Sequence, residues 1–182
     1  MQTQKHQLHQ PVLLESVLEY MNPKAGETYL DLTAGYGGHA RAILAKTKTK
    51  AVLVDRDSSV EEHLAGLGEF LHMDFASAAK QLVEQGKTFD LILMDLGVSS
   101  PQLDIANRGF SFQRPGPLDM RMDQSQELTA KELINNSSEK ELEEILSKYG
   151  EEPKARKIAK ALVEQKPPTT EELANLVGNI YR

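Results

Sequence analysis

The sequence predicts an α/β fold: a parallel sheet covered by helices, followed by an all-helical part. Three observations predict it. Short apolar runs alternate with helix-period stretches through the first half of the chain. The clearest run, Leu91-Ile-Leu-Met94, is unbroken by polar residues, as in strands buried on both faces. The strand rhythm stops at Asp95, and from about residue 128 the pattern is purely helical.

The first ten residues are polar and carry no predicted element. Leu14, Val17, Leu18 and Met21 then follow the i, i+3, i+4, i+7 spacing of an amphipathic helix, closed by Asn22-Pro23 and Gly26. Residues 28–33 read as a strand, 34–38 as a Gly-rich turn and 39–46 as a helix. The rhythm repeats with a strand at 51–55, a helix at 60–67, a strand at 70–72, a helix at 77–85 and a strand at 89–95. Residues 96–127 form a long segment rich in Gly, Pro, Ser and Asp, and loops of that length inside a compact domain are usually functional. Beyond it, Thr129/Glu132, Ser138/Glu141 and Thr169/Glu172 have capping-box spacing. Three helix faces follow: Leu142, Ile145, Leu146 and Tyr149; Ala155, Ile158, Ala159 and Leu162; Leu173, Leu176, Val177 and Ile180. The chain is expected to divide into an α/β core at 1–104 and a loop plus helical subdomain at 105–182. Four parallel strands are few for a doubly wound sheet, so the sheet is expected to be incomplete. Either the chain is a fragment or the sheet is completed another way, and a homodimer would cover the open edge.

Composition narrows the classes of function. The 182 residues are 40% hydrophobic, enough for a buried core, and carry a formal net charge of −6. Nucleic-acid binders are more often basic, so any RNA contact must rest on a local patch. The absence of cysteine excludes disulfides and thiolate metal sites. The histidines have no metal-ligand spacing, and no metal is expected. No apolar run approaches the roughly 20 residues of a membrane span, and the Met-Gln-Thr-Gln-Lys-His start has no apolar signal region. A cytoplasmic protein without membrane partners is expected.

Chemistry concentrates at the predicted strand ends. Gly35-Tyr-Gly-Gly-His-Ala40 follows a strand and opens a helix, where glycines let backbone approach a ligand and the helix N-terminus favours an anionic group. The bland alternative is a plain tight turn. Asp55 ends the second strand, 20 positions after Gly35, where a carboxylate can accept both ribose hydroxyls of an adenosine. Its alternative is a solvated strand-end acid. Together the two motifs point to adenosine binding without separating a nicotinamide cofactor from S-adenosylmethionine. Phe75 can stack on adenine or belong to the core, and Asp74 reads as a helix N-cap. Asp95-Leu-Gly-Val-Ser-Ser-Pro-Gln102 leaves the fourth strand carrying a carboxylate, two hydroxyls and an amide, a dense set for orienting a polar substrate. In the long loop, Arg108-Gly-Phe-Ser-Phe112 and Gly116-Pro-Leu-Asp-Met-Arg-Met-Asp123 offer aromatics and charges for a base and its phosphates, or a brace for the helical part. Lys154, Arg156, Lys157 and Lys160 form a basic cluster that suits a solvated helix face or an RNA contact.

The strings Asp31-Leu-Thr-Ala-Gly-Tyr-Gly-Gly-His39, Val54-Asp-Arg-Asp57, Asp95 to Asp104, Arg108 to Phe112 and Gly116 to Asp123 resemble, in order, the bacterial 16S rRNA cytosine-N4 methyltransferase (RsmH, MraW) family. His9-Gln-Pro-Val-Leu-Leu14 and Tyr149-Gly-Glu-Glu152 extend the likeness over nearly the whole chain. The stretch from Asp95 to Asp123 is its most specific part. The resemblance implies a class I methyltransferase, Rossmann-like fold with a helical insert after the fourth strand. It implies S-adenosylmethionine contacts at Gly37, Gly38, His39, Asp55, Phe75, Asp95 and Gln102, with no general base named. It also implies methyl transfer to the N4 amine of a cytosine in 16S rRNA of the small ribosomal subunit. The family's later core strands and basic tail have no counterpart here, so a chain ending at Arg182 is expected to bind cofactor weakly and methylate poorly alone. The rival readings are a nicotinamide-dependent oxidoreductase on the same turn and a non-catalytic RNA-binding or assembly module.

Overall fold

A computed structural model describes residues 11–182. The expectation for the first ten residues, including His6 and His9, lies outside the described residues. The chain divides into two compact units between Ser99 and Ser100.

In the first unit, α1 (Leu14–Met21) ends at Asn22, which adopts the left-handed conformation and returns its N–H to the Leu18 carbonyl. Then come β1 (Tyr29–Asp31), α2 (Gly38–Thr47), β2 (Ala51–Asp55), a 3₁₀ turn (Ser58–Val60) running into α3 (Glu61–Leu64), β3 (Gly68–His72), α4 (Phe75–Glu84) and β4 (Leu91–Leu93). The sheet order is β3-β2-β1-β4 and every pairing is parallel. This is a Rossmann-like arrangement. The order reverses between β1 and β4, the switch point beside which open α/β sheets bind ligands. Alternation along the strands covers both faces. Tyr29, Ala51, Leu53 and Leu91 pack with Ala40 and Ile43 of α2 and with Val60 and Leu64, while Leu30 and Val54 meet Ala78 and Leu82 of α4.

Several elements differ from expectation. Asp57 caps the 3₁₀ turn, accepting from the Ser59 N–H at 3.1 Å, and α3 stops at Leu64 because Ala65 leaves helical geometry and Gly66 takes φ +83°. Strand β3 starts at Gly68 rather than 70, since its ladder with β2 begins at Ala51. Helix α4 starts at Phe75 because Asp74 accepts from the N–H groups of Ala76 and Ser77, both at 3.0 Å. The apolar run at 91–94 is only in part the doubly buried strand it suggests. It forms an edge strand, Ile92 is 56% exposed, and Met94 is exposed too. Ile92 shares the face of Leu30, and α4 reaches Leu30 without covering its neighbour.

In the second unit, α5 (Ser100–Asp104) and a 3₁₀ turn (Ala106–Arg108) lie within the predicted loop, before α6 (Ala130–Asn136), α7 (Glu139–Lys148), α8 (Ala155–Gln165) and α9 (Thr170–Tyr181). Among the described residues, none from 128 to 182 joins the sheet. The capping boxes at Thr129/Glu132 and Ser138/Glu141 are complete, whereas at Thr169 only the half in which its hydroxyl accepts from Glu172 N–H is formed. Leu118, Ile134, Leu142, Ile158, Ala159, Leu162 and Leu176 form this unit's core.

The start of β3 admits no side chain. A Cβ at Gly68 would lie 1.9 Å from the Ala51 carbonyl oxygen, so strand and partner would have to part. Gly68→Ala is expected to lower unfolding stability by about 1–3 kcal/mol, the usual cost of overpacking. Urea titration of the two proteins checks this, and equal midpoints would contradict the Ala51–Gly68 register.

Candidate cofactor site

The site grows from the end of β1. Asp31 is 1% exposed, yet both carboxylate oxygens are engaged: Oδ2 accepts from the Tyr29 hydroxyl at 2.7 Å and Oδ1 from the Thr33 N–H at 3.2 Å. Burial pushes its carboxyl up to about 6, against the pull of those two hydrogen bonds and of His39. Burial, with the charge of Asp31 beside it, pushes the Tyr29 phenol above its ordinary range. Asp31 opens the Asp31–His39 string, and nothing in its sequence context announces this buried role.

The turn after β1 reaches both neighbouring strands. Its Ala34 N–H donates to the Val54 carbonyl at 2.9 Å and its Gly35 N–H to Asp55 Oδ2 at 2.7 Å. On the other side, the Asp95 N–H donates to the Thr33 hydroxyl at 2.7 Å. The two family glycines of the turn meet protein first. A Cβ at Gly37 would lie 2.7 Å from an Arg41 guanidinium nitrogen and 2.9 Å from Leu64, and one at Gly38 would lie 2.3 Å from the Pro11 ring. Arg41 pins the turn by donating to the Tyr36 carbonyl at 2.6 Å and to the His63 carbonyl. His39, in the first turn of α2, donates from Nε2 to the Val12 carbonyl at 3.0 Å. Gly35, by contrast, has φ +49° and no protein atom nearer than 4.0 Å to a Cβ position. It is therefore the glycine of this turn beside which space is open.

Asp55 is held from both sides, since Oδ1 accepts the Asp57 N–H at 2.8 Å while Oδ2 takes Gly35. Burial raises its carboxyl, opposed by these backbone bonds. A carboxylate has about four acceptor positions, so these backbone bonds do not exhaust it. Phe75 is exposed at the start of α4, just beyond β3, and Asp95 is exposed just beyond β4. Gly37, Gly38, His39, Asp55, Phe75 and Asp95 thus all sit at the C-terminal edge of the sheet. Gln102 lies in the second unit, buried on α5.

Within the second unit, the long loop is largely a brace. Buried Arg108 donates to the carbonyls of Arg121 at 3.1 Å and Met122 at 2.9 Å. Arg121 forks onto Asp119 at 2.8 and 2.7 Å, holding that carboxyl below its ordinary range. Asp119 and Leu118 carbonyls accept from Ala130 and Lys131 at the start of α6, both at 2.8 Å. Phe112 remains 66% exposed. In the basic cluster, Lys154 donates to the Ile180 carbonyl at 2.9 Å and sits 3.9 Å over the Tyr181 ring, whereas Arg156, Lys157 and Lys160 are exposed on α8.

Asp31 sets a pH dependence. A carboxyl whose folded pKa is raised binds its proton more tightly in the folded state. Its contribution to stability is full below the unfolded value near 4 and is lost as pH rises through about 6. Asp31→Asn should remove that slope, so wild type should lose up to about 3 kcal/mol relative to the variant between pH 4 and 7. Denaturant unfolding across that range checks it, and parallel curves would contradict the raised pKa.

The chain matches the MraW methylase family over residues 6–182. It is 46% identical over 183 residues to the "Ribosomal RNA small subunit methyltransferase H" of Rickettsia massiliae, covering 97% of this chain and 59% of that protein. The protein of the same name from Rickettsia conorii is 44% identical over 182 residues, covering 94% of this chain and 58% of its own length. The chain therefore spans somewhat under two thirds of the length of these curated relatives. By the family match and these identities, the chain belongs to the MraW methylase family.

Proposed function

We propose that this chain carries the cofactor-binding part of an S-adenosylmethionine-dependent enzyme that methylates the N4 amine of a cytosine in 16S rRNA. One observation carries the cofactor reading: Asp55 stands at the strand end with both oxygens oriented by backbone N–H groups. Such a carboxylate fits a ribose diol. The open space at Gly35 fits the approach of a ligand to the turn. When bound, S-adenosylmethionine supplies a methyl group on a sulfonium.

The protein's own residues do the rest. Asp55 accepts the ribose hydroxyls, and Phe75 covers the adenine face. The first turn of α2, at Gly38 and His39, offers its backbone N–H groups to the cofactor carboxylate. The N4 amine of cytosine is a poor nucleophile because its lone pair is delocalised into the ring. Asp95 accepts a hydrogen bond from that amine and holds the nitrogen in line, where orientation is worth roughly 7–11 kcal/mol over the free bimolecular reaction. The nitrogen sheds its proton after transfer, so no general base is assigned. The target base must leave its stack, which suits single-stranded or looped RNA. Exposed Phe112, with Arg156 and Lys157 of α8, offers stacking and phosphate contacts in the second unit.

Asp55→Ala is expected to weaken S-adenosylmethionine binding by about 1.5–3 kcal/mol, the range for hydrogen bonds to a charged group. Isothermal calorimetry of wild type and variant measures this. Wild-type affinity in the variant would remove Asp55 from the pocket, and preferential binding of NAD by the wild type would replace the cofactor.

A further inference from the structure

We infer that Thr33 is a positioning residue whose hydroxyl sets the place of Asp95 relative to the cofactor turn. The inference rests on the cofactor reading above for its functional meaning and on hydrogen-bond geometry for its mechanism. The parallel ladder between β1 and β4 ends with the Leu32 N–H donating to the Leu93 carbonyl at 2.9 Å. Beyond it, Met94, Asp95 and Leu96 are all exposed, so side-chain packing does not hold this stretch. The bond from the Asp95 N–H to the Thr33 hydroxyl, at 2.7 Å, ties it back to the sheet.

Thr33 is itself well anchored. Its backbone N–H donates to the carboxylate of Asp31, which is buried and held in turn by the Tyr29 hydroxyl. A β-branched side chain has few rotamers, so the hydroxyl inherits the rigidity of this backbone. The relay therefore runs from the core, through Tyr29 and Asp31, to Thr33 and out to Asp95. One residue further along the same turn, Ala34 bonds to Val54, and Gly35 bonds to Asp55. The group proposed for the ribose and the group proposed for the amine are thus referenced to one three-residue stretch. That role requires an oxygen at 33, which serine supplies and valine, of the same shape, does not.

The test compares Thr33→Val, Thr33→Ser and, as a second way of losing the hydroxyl, Thr33→Ala with wild type. Amide hydrogen exchange at Asp95, read by NMR, should speed by about tenfold or more in the valine and alanine variants and return to wild-type rates in the serine variant. Leu93, inside the ladder, should be unchanged. Because the family resemblance also places Asp95 at the cofactor, S-adenosylmethionine affinity should fall several-fold with valine and recover with serine. Unchanged exchange at Asp95 in both the valine and alanine variants, with cofactor still bound, would overturn the inference and leave the cofactor reading standing. A wild-type chain that binds no S-adenosylmethionine would overturn the cofactor reading instead, while exchange at Asp95 still decides whether Thr33 places it.

Discussion

The five residues from Asp31 to Gly35 must satisfy three strands at once, and the rest of the site depends on that constraint. Backbone polar groups leaving a parallel ladder need new partners. Here Leu32 still bonds to Leu93, Ala34 bonds to Val54, and Gly35 bonds to the Asp55 carboxylate. The chain must cross from the β4 side of β1 to the β2 side within three residues. A left-handed residue accomplishes this, and Gly35 at φ +49° supplies it. Asp55 gains a fixed orientation as a consequence of closing the turn. One local hydrogen-bond requirement therefore builds both the loop and the acceptor that the loop presents.

In the glycines of the turn, the same residues admit more than one physical cause. Gly-rich turns before a helix suggest backbone clearing the way for a ligand. At Gly37 and Gly38 the clearance is used by Arg41, Leu64 and Pro11 of the same chain. Arg41 enters the space to hold the Tyr36 carbonyl, and Pro11 lies against the first turn of α2. Side chains at these positions would disturb the packing of the turn before they met any cofactor. The open space falls at Gly35.

Much of the first unit was legible because periodicity reports burial, and burial follows from a sheet with helices on both faces. The limits of that logic appear at particular residues. Ile92 looks like a doubly buried strand residue because hydrophobicity alone does not reveal where α4 stops. The end of α3 depends on Gly66, whose left-handed backbone is compatible with both a tight turn and a helix C-terminus. In the long loop, charge left Arg108 and Arg121 open to substrate contact or to a brace, and both bond to carbonyls or to Asp119. Such side-chain to backbone bonds have no fixed sequence spacing, so no pattern announces them. The same holds for Thr33, whose partner lies 62 residues away.

The charge at the C-terminal edge of the sheet bears on which adenosine cofactor the turn can hold. Asp31, Asp55 and Asp57 lie on or just beyond β1 and β2, and Asp95 lies just beyond β4. Asp31 and Asp55 both have raised carboxyl pKa values, with burial the leading cause and neighbouring carboxylates adding to it. Bringing two phosphate charges to that edge would worsen the same repulsion, against the partial positive charge at the N-terminus of α2. A sulfonium and an ammonium relieve it. This excess of carboxylate supports the cationic methyl donor proposed above over a dinucleotide. Methylase family membership points the same way on independent grounds.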